Sequence, residues 1–249
     1  MRATVPGFAI ALLLVAGAWA LMPAGLAQTP TADDGMQLGA TRFAAGENVR
    51  IAADAEDGVL GDTYVAANRL ETTGTIHGDL LVSAASARVL GPVRGDVAFA
   101  GGEARFEEAI GGDLRWFGGT LELDAAVGSD ALVGGAQIYL LPASRVGGLL
   151  GAWGGVIEVA GHVEGPARIS GGEVELSGTF DGDVHVRCDS LAVGPQARIA
   201  GDLVYEARRR VEVPEGTVQG EVRYSPRPLD DEPIRPKIET GLGYLSVLA

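Results

Sequence analysis

The pair Gly-Asp, or a close substitute, returns at fixed intervals along most of this chain. That interval limits the possible folds more than any other feature. With Gly61, Gly78, Gly95, Gly112, Ser129, Gly148, Gly165, Gly182, Gly201 and Gly220 as anchors, the spacings are 17, 17, 17, 17, 19, 17, 17, 19 and 19 residues. Two residues before each anchor stand Val59, Ile76, Val93, Ile110, Val127, Val146, Val163, Phe180, Ile199 and Val218, all apolar. Two after stand Thr63, Leu80, Val97, Leu114, Ala131, Leu150, Ala167, Val184, Leu203 and Val222. Four after stand Val65, Val82, Phe99, Trp116, Val133, Ala152, Ile169, Val186, Tyr205 and Tyr224, with polar or mixed residues between. Such period-two alternation marks a strand with one buried face.

A second alternating pair follows within each repeat, as in Leu121 and Leu123, Ile138 and Leu140, or Val174 and Leu176. At least two short strands separated by corners are therefore expected per repeat. No stretch between them is long or periodic enough for a crossover helix. Every 19-residue repeat carries a proline six residues before the next anchor, at Pro142, Pro195 and Pro214. An insertion of two preserves the in-out alternation, and proline suits a corner because it fixes φ and needs no ladder hydrogen bond. Val211 and Val213 fall one place late, so a bulge is expected between Glu206 and Arg210, beside the basic run Arg208-Arg209-Arg210. The anchor glycines are read as tight corners needing a permissive φ.

One repeat cannot bury its own apolar columns, but stacked repeats can. At about 4.8 Å per turn the nine spacings make a rod of about 45 Å. The sequence thus predicts an all-β, single-stranded parallel β-helix of about nine to ten turns over residues 49–224, begun by an incomplete turn at Val49 and Ile51. With 38 glycines and only 6% aromatic residues the chain is unlike a helical bundle, and at 47% hydrophobic residues it is unlike a disordered one.

Outside the repeat, Arg2 precedes an apolar run from Phe8 to Leu21, then Pro23 and Gly25-Leu26-Ala27. This is the pattern of a secretory signal with cleavage after Ala27, or of an uncleaved anchor. Residues 28–48 are expected to form an N-terminal segment or cap. Residues 225–249, with Pro226, Pro228, Pro233 and Pro236, read as an extended or disordered tail with a short apolar end. The expected location is exported, in a periplasmic or membrane-associated envelope. The net charge of −14 argues against nucleic acid as a partner.

Runs such as Ile76-His77-Gly78-Asp79-Leu80, Val93-Arg94-Gly95-Asp96-Val97, Ile110-Gly111-Gly112-Asp113-Leu114 and Ile199-Ala200-Gly201-Asp202-Leu203, between a signal-like start and a proline-rich tail, resemble the bactofilins. These are polymer-forming bacterial cytoskeletal proteins, and the resemblance covers residues 59–224. It implies a right-handed helix that polymerises end to end without nucleotide and scaffolds cell-envelope machinery. Familiar bactofilins are cytoplasmic and lack a cleavable signal, so the likeness is to an exported or membrane-linked branch.

The functional expectations follow from these patterns. Uncapped end turns leave backbone groups ready to pair with another copy. The expected carriers of self-assembly are Val49, Ile51 and Val59 at one end and Val213, Val218, Val222 and Tyr224 at the other. Phe117 and Trp153, with Leu81 and Leu132, fall in outward columns and form a candidate lateral or membrane-facing surface. The acidic column Asp62, Asp79, Asp96, Asp113, Asp130, Asp183 and Asp202 is open to two readings: acceptors for corner amides, or a row of divalent-cation sites. His77, His162 and His185 lie turns apart, Cys188 is alone, and no nucleophile, phosphate-loop or zinc motif occurs. No cofactor and no catalytic residue is assigned. Two alternatives to a scaffold stay open: a capped monomeric module binding polysaccharide, a divalent cation or an envelope protein, and a carbohydrate-active β-helix enzyme.

Overall fold

The computed structural model describes residues 36–38, 40–52 and 59–227, and these form a parallel β-solenoid without helices. Eleven strands run parallel along one continuous sheet: Thr41–Ile51, Thr63–Thr72, Leu80–Val89, Val97–Phe106, Leu114–Leu123, Ala131–Leu140, Leu150–Val159, Ala167–Leu176, Val184–Val193, Leu203–Ala207 and Val222–Pro226. Each marks one coil. The count exceeds the nine to ten expected because Thr41–Ile51 pairs along its length with Thr63–Thr72 and supplies a coil that starts before Val49. At the other end the ladder runs on through Ser225 and Pro226, into the segment read as tail.

The two alternating pairs, expected as separate strands divided by a corner, in most coils share one strand of ten residues bent at its middle. In Leu114–Leu123 the buried positions are 114, 116, 121 and 123. The step from 116 to 121 is odd, so the inward phase shifts by one residue at the bend. Gly119 takes the odd place: the ladder pairs Gly118 with Gly135 and Thr120 with Gln137 and skips the residue between. The apolar residues two before each anchor make a third face. There two-residue strands such as Ala126–Val127 and His162–Val163, with bridges from Val59 through Val127 and from Ile199 to Val218, form an unbroken ladder. The second to ninth coils are thus each closed by three faces around one core.

All three apolar columns point into that core. Those of the inner coils are buried, including Trp116, Phe99, Phe180 and Tyr205. Phe99 and Trp116 stack with centroids 6.1 Å apart and planes 9° apart. Room for the indole comes from the corner: a Cβ at Gly118 would lie 2.6 Å from Trp116 Cζ2, and one at Gly135 2.5 Å from Trp116 Cζ3.

The prolines enter as the alternation argument requires. The Ser144 amide donates to the Leu141 carbonyl at 2.9 Å, and that of Ala197 to the Gly194 carbonyl at 3.1 Å, which places Pro142 and Pro195 second in β-turns. The third insertion is displaced by one residue. Thr217 closes its turn on Pro214, and Gly216 takes φ of 77°, as the third residue of a type II turn requires. The cause lies upstream. The strand that starts at Leu203 ends at Ala207; the Arg208 amide still donates to the Asp189 carbonyl at 3.3 Å, and Arg209 to Val213 carry no strand, a larger disruption than a bulge.

Candidate assembly ends and outer surfaces

The anchor glycines are not corners of unusual φ. Among the described residues only Gly216 has a positive φ. What they provide is closeness. A Cβ at Gly95 would stand 2.2 Å from Asp79 Oδ1 and 2.8 Å from the Gly78 carbonyl carbon; one at Gly112 would stand 2.1 Å from Asp96 Oδ1. Glycine lets the carboxylate of one coil lie over the anchor of the next.

That contact defines the role of the acidic column. The Asp79 amide donates to Asp62 Oδ1 at 3.0 Å, Asp96 to Asp79 at 2.8 Å, Asp113 to Asp96 at 2.8 Å and Asp130 to Asp113 at 3.1 Å. Leu149 donates to Asp130 at 2.8 Å, Asp202 to Asp183 at 2.9 Å and Glu221 to Asp202 at 2.9 Å. All seven aspartates therefore accept an amide of the following coil, which is an inter-coil ladder and not the local corner bond expected. Arginines relieve the like charge in places: Arg115 reaches Asp113 at 2.5 Å and Asp96 at 3.3 Å, and Arg223 reaches Asp202 at 2.5 Å. The Asp202 carboxyl is held below its usual range, first by the Glu221 amide and then by the Arg223 guanidinium. Among the described residues no group of three or more His, Cys, Asp or Glu side chains could hold a metal ion.

The two ends of the solenoid differ. At the N-terminal end, Met36–Leu38 folds back antiparallel on the first coil, pairing Met36 with Phe43 and Leu38 with Thr41. Val49 and Ile51, expected as exposed contacts, are only 8% and 0% exposed, and Val59 is half-buried. At the C-terminal end, Val222–Pro226 is the last strand of the sheet. Val222 is 40% exposed, although the equivalent residue in each of the second to tenth coils, from Thr63 to Leu203, is buried. Val213, Val218 and Tyr224 are half-buried there. The Tyr224 ring lies 5.1 Å from that of Tyr205, and its hydroxyl donates to the Ala207 carbonyl at 3.3 Å.

On the side, Phe117 and Trp153 are 46% and 43% exposed, whereas Leu81 and Leu132 are half-buried. Sequence reasoning missed the N-terminal continuation of this face, where Phe43 and Tyr64 stack at 5.0 Å. The signal was the first coil itself, which lacks a Gly-Asp anchor. Cys188 is fully buried, and burial followed by the Asp189 charge pushes its thiol up to about 11, so it is a packing residue and not a nucleophile. His162 Nε2 lies 2.8 Å from Asp181 Oδ2, while His77 and His185 are exposed elsewhere. Arg208 of the basic run donates to Asp189 at 3.1 Å. No helix among the described residues is long and apolar enough to cross a membrane. The secretory-signal reading and the proline-rich tail beyond Arg227 lie outside the described residues.

Compared with family models, with curated proteins and with solved structures, the chain finds no match in any of the three.

Proposed function

We propose that this protein is a structural rod that assembles with copies of itself through its C-terminal coil and serves as a nucleotide-independent scaffold of the cell envelope. The observation that carries the reading is the exposure of Val222. Its column is buried in the second to tenth coils, each of which is covered by a following coil. Among the described residues no strand pairs with the outer edge of Val222–Pro226, which offers both a ladder edge and this exposed column. A second copy seated there would cover Val222, Val218 and Tyr224 and satisfy the edge. The bactofilin-like repeats support the same reading, and the signal-like start supports an exported location.

Negative-stain electron microscopy of the purified chain, without nucleotide and with a chelator, tests it. Filaments or end-joined pairs of rods are expected, and Val222→Lys should disperse them into single rods. Single rods from the unaltered chain at micromolar concentration would refute the proposal. They would favour a second reading, a capped binding module, for which the hairpin of Met36–Leu38 over the first coil is the supporting observation.

A further inference from the structure

In the first nine coils one strand spans the first and second faces, whereas in the tenth the strand stops at Ala207. No strand follows until the single bridge of Val218 with Ile199. This interval opens with Arg208, Arg209 and Arg210, all exposed. Arg208 is still tied down: its amide donates to the Asp189 carbonyl at 3.3 Å, and its Nε donates to Asp189 Oδ1 at 3.1 Å. The next hold on the backbone is the Val211 amide, which donates to the Tyr205 hydroxyl at 3.1 Å. Arg209 and Arg210 lie between these two ties.

No other arginine of the described residues is placed like these. From Arg42 to Arg198 each lies in a ladder strand, except Arg94, whose amide donates to the Ile76 carbonyl at 2.8 Å. Arg223 lies in Val222–Pro226, and Arg227 is buried. An endopeptidase draws the substrate backbone out and pairs it with its own cleft, so a bond whose backbone serves a ladder is protected until that ladder opens. Exposed segments outside the ladder are where chains are cut.

We propose that Arg208-Arg209-Arg210 is a processing site for an arginine-specific endopeptidase, and that the cut sheds the eleventh coil. Water adds across the peptide bond that follows Arg209 or Arg210, leaving an arginine carboxylate on one side and a new amino terminus on the other. The exposed guanidinium is the group that an acidic specificity pocket reads, through charge-assisted hydrogen bonds. The piece beyond the cut is held to the rod by little. Of residues 211–227 only Thr217 and Arg227 are buried. Its ties are the pairing of Val222–Pro226 with Leu203–Ala207, the Val218 bridge, the Tyr224 ring against Tyr205, and Arg227 Nη1 at 3.8 Å from Asp189 Oδ1. While the chain is continuous these contacts form within one molecule. Once it is cut they must also offset the freedom regained by a separate piece. That piece carries Val222, so, resting on the assembly proposed above, cleavage governs the end through which copies join.

The test treats the purified full chain with clostripain, which cuts after arginine, and follows it by intact-mass spectrometry and gel filtration. The expected first cut within residues 36–227 falls after Arg208, Arg209 or Arg210, and the C-terminal piece elutes apart from the rod; a cut after Arg235 is told apart by its mass. The triple variant Arg208→Lys, Arg209→Lys, Arg210→Lys keeps every charge and should be cut in this region about tenfold more slowly or less, because the remaining arginines must first leave the ladder. A first cut at another arginine of that region, equal rates for the variant and the unaltered chain, or a cut piece that stays on the rod through gel filtration would each overturn the proposal. The masses report cleavage whether or not copies assemble. Where unaltered rods join in electron micrographs, cut rods should not, and cut rods that join as well overturn the control of assembly. Unaltered rods that never join refute the assembly reading alone and leave the processing site standing on its masses.

Discussion

Each aspartate of the column accepts the backbone amide one coil further on, so its carboxylate acts as a rung between coils. Asp79 shows the role in simple form, accepting such a bond from the Asp96 amide at 2.8 Å. Asp79→Ala should destabilise the chain by about 1 kcal/mol, the net worth of a hydrogen bond at a partly solvated site. Asp79→Asn, which keeps the acceptor, should lose little. Urea unfolding of both variants checks this, and equal losses would show that charge, not acceptance, matters there. Asp202 adds a pH dependence. Its folded carboxyl titrates below the ordinary 3.8, so its contribution is present above that value and is lost as pH falls through the depressed one. The unaltered chain should lose more stability than Asp202→Asn between neutral pH and a pH below 3.8. Equal losses would mean that this carboxylate is not linked to folding.

The coil is the unit at the next scale, and the bend at its middle decides what the core can hold. Trp116 fills the fifth coil because Gly118 and Gly135 leave space for its ring on two successive coils and Phe99 stacks on it. Trp116→Ala should cost about 3–5 kcal/mol, as for other large buried aromatics. Because a solenoid coil contacts only its neighbours, the damage should be local. Hydrogen exchange should therefore rise first in Val97–Phe106 through Ala131–Leu140, and uniform loosening from end to end would contradict that picture. Ion pairs across the coils, such as Arg105 with Glu122 at 2.7 Å, lie at the surface and add little.

At the scale of the whole molecule the rod is asymmetric. One end is partly covered by a short antiparallel strand, and the other shows an apolar column that every inner coil buries. The tenth coil also gives up its second face after Ala207, so the C-terminal contact surface rests on the first and third faces, at Val222, Tyr224 and Val218. Assembly through that end should depend on protein concentration and fail in Val222→Lys, whereas loss of Phe117 or Trp153 should leave it intact.

The coil length, the inward columns and the stacking of the aspartates in one column were legible in the sequence because stacking forces equivalent residues into register. A period of 17 with even insertions admits no other alignment of Val59, Ile76, Val93 and their successors. The proline sites were legible for the same reason. The bend within each strand was not, since the odd step from Trp116 to Leu121 gains meaning only when both halves are seen in one ladder. The first coil lacks a Gly-Asp anchor, so the sequence showed only its Val49 and Ile51, and its start at Thr41 emerged through pairing with Thr63–Thr72. The anchor glycines looked like conformational corners, and the structure made them points of close approach, because the clash they avoid is with a carboxylate from another coil. Sequence by itself determined the repeat and what it buries. Which edges stay open, and that the Trp116 ring lies against glycines of two successive coils, was decided by tertiary structure, because both depend on neighbours 17 to 19 residues away in the chain.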